Sequence, residues 1–170
     1  INVKNNIYEE EIEPFQFEFI NNAKESCKKI SFLKIEIDEI PRDYTGSLKE
    51  YFDDLDIKKN NFFTDVSNYI LYETGQPTHC YDCSKIDQPI KLDYLKSSYN
   101  FMTLLNKEIK LQKGSLAFFN NDESVINFAG IIGGKNTSCD SETKSVIVEC
   151  AHFNPEVIIG KSIKYDLSLI

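Results

Sequence analysis

The sequence has no apolar run long enough to span a bilayer and no signal-peptide pattern, which argues against a membrane-spanning or secreted chain. It has no low-complexity tract and no internal repeat, so repeat architectures and compositionally disordered classes are set aside. Its five cysteines are an odd number, and nothing else marks secretion. They are read as reduced thiols in a cytoplasmic protein. Positive charge is also scarce. Nineteen Lys and Arg face 27 Asp and Glu, for a net charge of −8. That sign is unusual for an RNA-contacting protein, because phosphate binding rests on Lys and Arg. A domain of this charge alone would hold RNA weakly. The one glycine-rich segment lacks the Lys-Ser/Thr ending of a phosphate loop, so no nucleoside triphosphate site is expected.

What is present is a foldable composition. The chain has 170 residues, 41% hydrophobic and 12% aromatic, enough for one domain with a real core. It begins at Ile1 rather than Met and stops at Ile170 without a tail, and is read as a fragment of a longer protein. Residues 1–26 are polar and acidic, with Glu9-Glu10-Glu11, and read as a lead-in or linker. A short strand is expected at Phe15–Phe19, where apolar and polar residues alternate. The domain proper is placed at residues 27–170.

The run Ile30–Ile37 is rich in β-branched and aromatic residues and predicts a strand. Ser47 followed by Glu50 fits a capping box, ahead of Leu48, Tyr51, Phe52 and Leu55 at helical spacing. A second helix is expected from about Thr64 to Glu73, stopped by Gly75 and Pro77. The second half predicts strands: Phe101–Leu111 with a turn at Asn106-Lys107, Ser115–Phe128 as a hairpin turning at Asn120–Asp122, and Ser145–Glu149. Asn154-Pro155-Glu156 opens a last helix, with Asn as cap and Pro at the first helical position. The expected fold is α+β: mixed, mostly antiparallel sheets with a few flanking helices in a single compact domain.

Three stretches stand out chemically. Between a helix stop and a Pro turn, His79 is expected on a rigid corner, where it either orients water or a substrate oxygen or merely caps the surface. Ala129–Gly134 carries Gly130, Gly133 and Gly134 directly after a predicted strand. Such glycines either bring backbone N–H groups close to a ligand or make a tight turn. Glu149 ends an apolar strand. It has a cationic partner, serves a site, or stands on a solvated rim. A rival constellation, Cys80-x-x-Cys83 with His79, Cys150 and His152, could suggest structural zinc. A single knuckle is a weak signal, and Cys150-x-His152 is too tight for its usual partner, so no metal is expected.

Together these stretches resemble the editing domain of the beta subunit of bacterial phenylalanyl-tRNA synthetase. The family signature D-V-T-N-Y…E-L-G-Q-P-x-H-A-F-D stands here as Asp65-Val66-Ser67-Asn68-Tyr69 and Glu73-Thr74-Gly75-Gln76-Pro77-Thr78-His79-Cys80-Tyr81-Asp82. The family's A-G-x-x-G-G is Ala129–Gly134, and its L-L-E-[CS]-A-x-F-x-P is Ile147–Pro155, in the same order and with similar spacing. The resemblance covers roughly residue 27 to the end. It implies a hydrolase for tyrosine wrongly attached to tRNA(Phe), with His79 positioning the ester and attacking water and Glu149 bonding the tyrosine hydroxyl. It also implies that Asn68, Ser67, Lys58, Gly130 and Gly133 line the substrate pocket. Lys58 stands where many members have Arg, and Leu169 where, in ungapped register, they have a pocket Thr. The implied parent is a phenylalanine–tRNA ligase using ATP and Mg, with no cofactor in this domain. The implied partners are the tRNA(Phe) acceptor end, the remaining beta-subunit domains and an alpha subunit in a heterotetramer, with no membrane. The alternative is an editing-inactive structural or tRNA-binding module of the same synthetase.

Overall fold

Apolar residues alternate with polar ones in strands such as Ile90–Tyr94 and Glu108–Leu111. The computed structural model describes residues 14–167; the expectations for Glu9–Glu11 and Leu169 lie outside them. The strands are β1 (Phe19–Asn21), β2 (Cys27–Glu36), β3 (Thr78–Asp82), β4 (Ile90–Tyr94), β5 (Tyr99–Met102) and β6 (Glu108–Leu111). They continue with β7 (Leu116–Phe119), β8 (Val125–Phe128), β9 (Ile132–Gly133) and β10 (Ser145–Phe153). The helices are α1 (Gly46–Leu55), α2 (Phe62–Thr74), α3 (Pro155–Ile158) and α4 (Lys161–Lys164). One sheet runs β1-β4-β7-β8-β9, a second β2-β10-β3, and a third pairs β5 with β6. Only β1 with β4 is parallel among these pairings. The fold is therefore the mixed, largely antiparallel α+β domain expected.

β7 and β8 are buried along their whole length. Leu116, Phe118 and Ile126 join a cluster with Tyr81, Ile90, Leu92 and Ile147. Ala117, Phe119, Val125 and Phe128 join another with Phe101, Ile109 and Leu111. Because side chains alternate across a strand, one hairpin serves two cores. Each fully buried large side chain contributes about 1.5–3 kcal/mol, and the hairpin thereby fixes the sheets around it.

Several ends follow local chemistry. The Asn61 side chain accepts the Thr64 N–H at the start of α2, and Gly75 ends it at φ 73°, with its N–H donating to Leu71 O. Asn154 caps α3 with Pro155 in its first turn. The capping box does not form: α1 begins at Gly46 after Thr45, so Ser47 is already helical and cannot act as the cap. The short first strand lies at Phe19–Asn21 rather than Phe15–Phe19, because its register follows pairing with Ile90–Leu92 of β4.

Asp65, fully buried in the first turn of α2, ties down the chain around both helices. It accepts from Tyr44 Oη at 2.6 Å and from Asn60 N at 3.0 Å. Truncation would leave two donors without their acceptor. Asp65→Ala is expected to lower unfolding free energy by about 2–4 kcal/mol, read from urea unfolding; a loss below about 1 kcal/mol would contradict this role.

Candidate functional site

The site is built on the β2-β10-β3 sheet. β10 is its central strand, and Glu149 sits in the middle of β10, opposite Phe32 of β2 and His79 of β3. Directly opposed residues share a face, so His79 and Glu149 project the same way. Tyr81, two residues on from His79, shares that face too. Cys80 points to the other face, where α2 packs, its Sγ 3.5 Å from Ser67 Oγ.

This placement revises two local readings. His79 is not on a corner: Pro77 ends the helix and the chain goes straight into β3, so the imidazole stands on a strand. Glu149 does not end its strand. β10 continues to Phe153 because it pairs with the first residues of β2, and Glu149 is only 5% exposed. The zinc constellation is split by the pleat, with His79 on one face and Cys80 and Cys150 on the other. Among the described residues no group of three or more His, Cys, Asp or Glu converges as a metal site.

Glu149 has no cationic partner among the described residues. Its Oε2 accepts the Tyr81 hydroxyl at 2.5 Å, and Tyr81 Oη accepts from Asn127 Nδ2 of β8 at 2.8 Å. Burial raises its pKa to about 7, against which the Tyr81 hydrogen bond acts. His79 is shifted the other way, down to about 4, again by desolvation, so it is a neutral imidazole at pH 7. Its ring meets Tyr81 edge to face, 4.5 Å between centroids.

Two clefts meet at His79. The larger, about 410 Å³, is lined by Glu149, Asn127, Gly130, Phe153 and Ile158. The smaller, about 230 Å³, is lined by Ser67, Asn68, Leu104 and Cys139. His79 and Gly133 border both. A Cβ on Gly133 would fall 2.2 Å from His79 Cε1 and 2.5 Å from Nε2. The glycine is required so that the imidazole can approach the backbone this closely. Nε2 there is buried and has no hydrogen-bond partner. Gly130 has φ 69°, and a Cβ there would meet Ile158 Cδ1 at 2.6 Å, so it too must be glycine.

The structure thus gathers His79, Glu149, Gly130 and Gly133 around one cleft and puts Ser67 and Asn68 in the adjoining one. Lys58 is exposed and lines neither. Sequence reasoning missed Tyr81 and Asn127 as site groups. The signals were present: Tyr81 has the same strand parity as His79, and Asn127 is the one polar residue of Val125–Phe128.

The pattern of the B3/4 domain family matches residues 36–169, and the chain belongs to that family. It is homologous to phenylalanine–tRNA ligase beta subunits. It is 36% identical to that of Francisella tularensis over 107 residues, 63% of this chain and 13% of the relative. It is 38% identical to that of Haemophilus influenzae over 103 residues, 61% of this chain and again 13% of the relative. The matched stretch is thus a small part of those proteins' length. An N-terminal fragment of the phenylalanyl-tRNA synthetase beta subunit from Pyrococcus horikoshii shares the fold. Its TM-score is 0.58 at 12% identity, over 86% of this chain and 48% of that one.

The two opposed pKa shifts carry a stability signature. Between the ordinary carboxyl value of 4.5 and about 7, the folded chain keeps the Glu149 proton that the unfolded chain has released. This group therefore lowers stability as pH rises through that window. His79, ordinarily near 6.5 and here about 4, raises stability as pH rises from about 4 to 6.5. The slopes oppose each other where the windows overlap. Glu149→Gln removes the first, so it should gain about 2–3 kcal/mol on the parent between pH 4.5 and 8. Urea unfolding at both pH values checks this; a pH-independent difference would contradict it.

Proposed function

We propose that this domain hydrolyses the ester joining tyrosine to tRNA(Phe), as the editing domain of a phenylalanine–tRNA ligase beta subunit. The observation that carries the reading is the buried Glu149 carboxylate, with no cationic partner among the described residues, at the wall of an apolar cleft that it shares with His79. An apolar pocket discriminates poorly against an added hydroxyl, so a ligase specific for phenylalanine needs a second site that selects for one. A buried carboxylate does so. A tyrosine hydroxyl satisfies it, whereas phenylalanine leaves it desolvated without a donor.

The remaining groups fit a water-driven ester hydrolysis. Neutral His79 accepts from, or donates to, the attacking water or ester, and no side-chain nucleophile is required. In the segment 129–134, the N–H groups of Ala129, Ile131 and Gly134 already donate to backbone carbonyls. Gly130 lines the larger cleft, and its N–H would be the one to meet an oxyanion. Ser67 and Asn68, across His79, would meet the ribose end of the substrate. Exposed Lys58 is available to a phosphate rather than to the amino acid. The acidic chain would depend on the rest of the beta subunit and on an alpha subunit to hold tRNA(Phe). Phenylalanine attachment, with ATP and Mg, would take place in the parent ligase outside this domain.

One observation favours a second reading, a non-hydrolytic module bracing the ligase: His79 Nε2 is covered by Gly133 and reaches no solvent. Deacylation separates the two. Within the complete ligase, this domain should hydrolyse Tyr-tRNA(Phe) faster than Phe-tRNA(Phe), and His79→Ala should slow the former by about 100-fold or more. Release of tyrosine no faster than in buffer would leave the bracing role.

A further inference from the structure

We propose that Tyr81 is a positioning residue for specificity: its hydroxyl, held by Asn127, fixes Glu149 so that one carboxylate oxygen remains for a single phenolic donor in the cleft. The inference rests on the reading of this cleft as a hydroxyl-selective hydrolytic site.

Tyr81 is fully buried and lines neither cleft, so it acts only through what it holds. Its hydroxyl donates to Glu149 Oε2 at 2.5 Å and accepts from Asn127 Nδ2 at 2.8 Å. A phenol has one proton to give. Asn127, donating from β8, directs that proton to β10. The carboxylate is thereby pinned on Oε2, and no protein donor reaches Oε1 among the described residues. The three rotatable bonds of a free Glu side chain would otherwise let the carboxylate turn away from a ligand, and pinning removes that freedom. The Asn127 side-chain Oδ1 is buried without a partner, so the amide is oriented for Tyr81 at the expense of its own acceptor. The chain Asn127–Tyr81–Glu149 runs from the core of one sheet to the cleft wall of the other, which makes the relay hard to account for by packing alone.

The arrangement also sets the charge of the acceptor. Glu149 faces His79 and Tyr81 from β3 and the Cys27 thiol from the start of β2; Asn127 of β8 and Phe32 of β2 are uncharged. Among the described residues no Lys or Arg offsets its burial. The Tyr81 hydrogen bond is what opposes desolvation and favours the ionised form. A phenol donates more strongly to a carboxylate than to a carboxylic acid, so the preference for tyrosine over phenylalanine should rise with pH through the Glu149 titration.

The test is Tyr81→Phe, which keeps the ring and removes the hydroxyl. Two readouts are taken on the full chain: the Glu149 carboxyl titration by 13C NMR, and Tyr-tRNA(Phe) against Phe-tRNA(Phe) hydrolysis across pH. The parent should titrate near pH 7. The variant should titrate at higher pH, with about a tenfold loss of tyrosine preference at pH 7 and a pH midpoint displaced in the same direction. An unmoved Glu149 titration overturns the proposal, as does a moved titration with an unchanged preference in a hydrolysing parent. If the parent hydrolyses neither ester, the proposed function fails instead, and the titration still decides whether Tyr81 sets the carboxylate. Should Tyr81→Phe not fold, Tyr81→Phe with Asn127→Leu removes both partners and takes the same readouts.

Discussion

A carboxylate in the middle of a sheet, with a phenol rather than a cation as its partner, is the constraint around which this domain's site is arranged. Desolvation of an ionised group is unfavourable, and Glu149 meets it with a neutral donor and a pKa pushed to about 7. The fold supplies what that requires. β10 must be a central strand so that Glu149 is flanked by Phe32 on one side and His79 on the other. β8 must pass close enough for Asn127 to reach Tyr81. The segment after β8 must be glycine where it runs against the imidazole and against Phe153 and Ile158.

The same geometry explains the neutral His79. Strand pairing puts the imidazole beside Glu149, yet no hydrogen bond joins them and burial alone holds the ring uncharged. A charged imidazole would pair with Glu149 and remove the free acceptor. A neutral one leaves Glu149 to a ligand and itself to water or ester.

Much of the fold was legible because its signals are local. Asn120–Asp122 turned a hairpin, Gly75 stopped a helix, and Asn154-Pro155 started one. The parallel pairing of β1 with β4 was not legible, since it depends on residues 71 positions apart meeting across the sheet. The site was half legible. Pro77 suggested a corner for His79, but the same residue restricts the chain to extended geometry and launches β3. The apolar run ends at Glu149, which suggested a rim; pairing with the start of β2 carried the strand four residues further and buried the carboxylate. Tyr81 and Asn127 were not read as site groups, because their role depends on their meeting across two sheets.

The central claim is that Glu149 reads an aromatic hydroxyl within the larger cleft. A crystal structure of the chain with a non-hydrolysable 3′-tyrosylamide of adenosine tests it most directly. The account predicts the tyrosyl ring against Phe153 and Ile158, its hydroxyl on Glu149 Oε1, and the Tyr81 hydrogen bond to Oε2 retained. A ring lodged instead beside Ser67 and Asn68, or a phenylalanyl analogue bound as tightly in the same place, would contradict it.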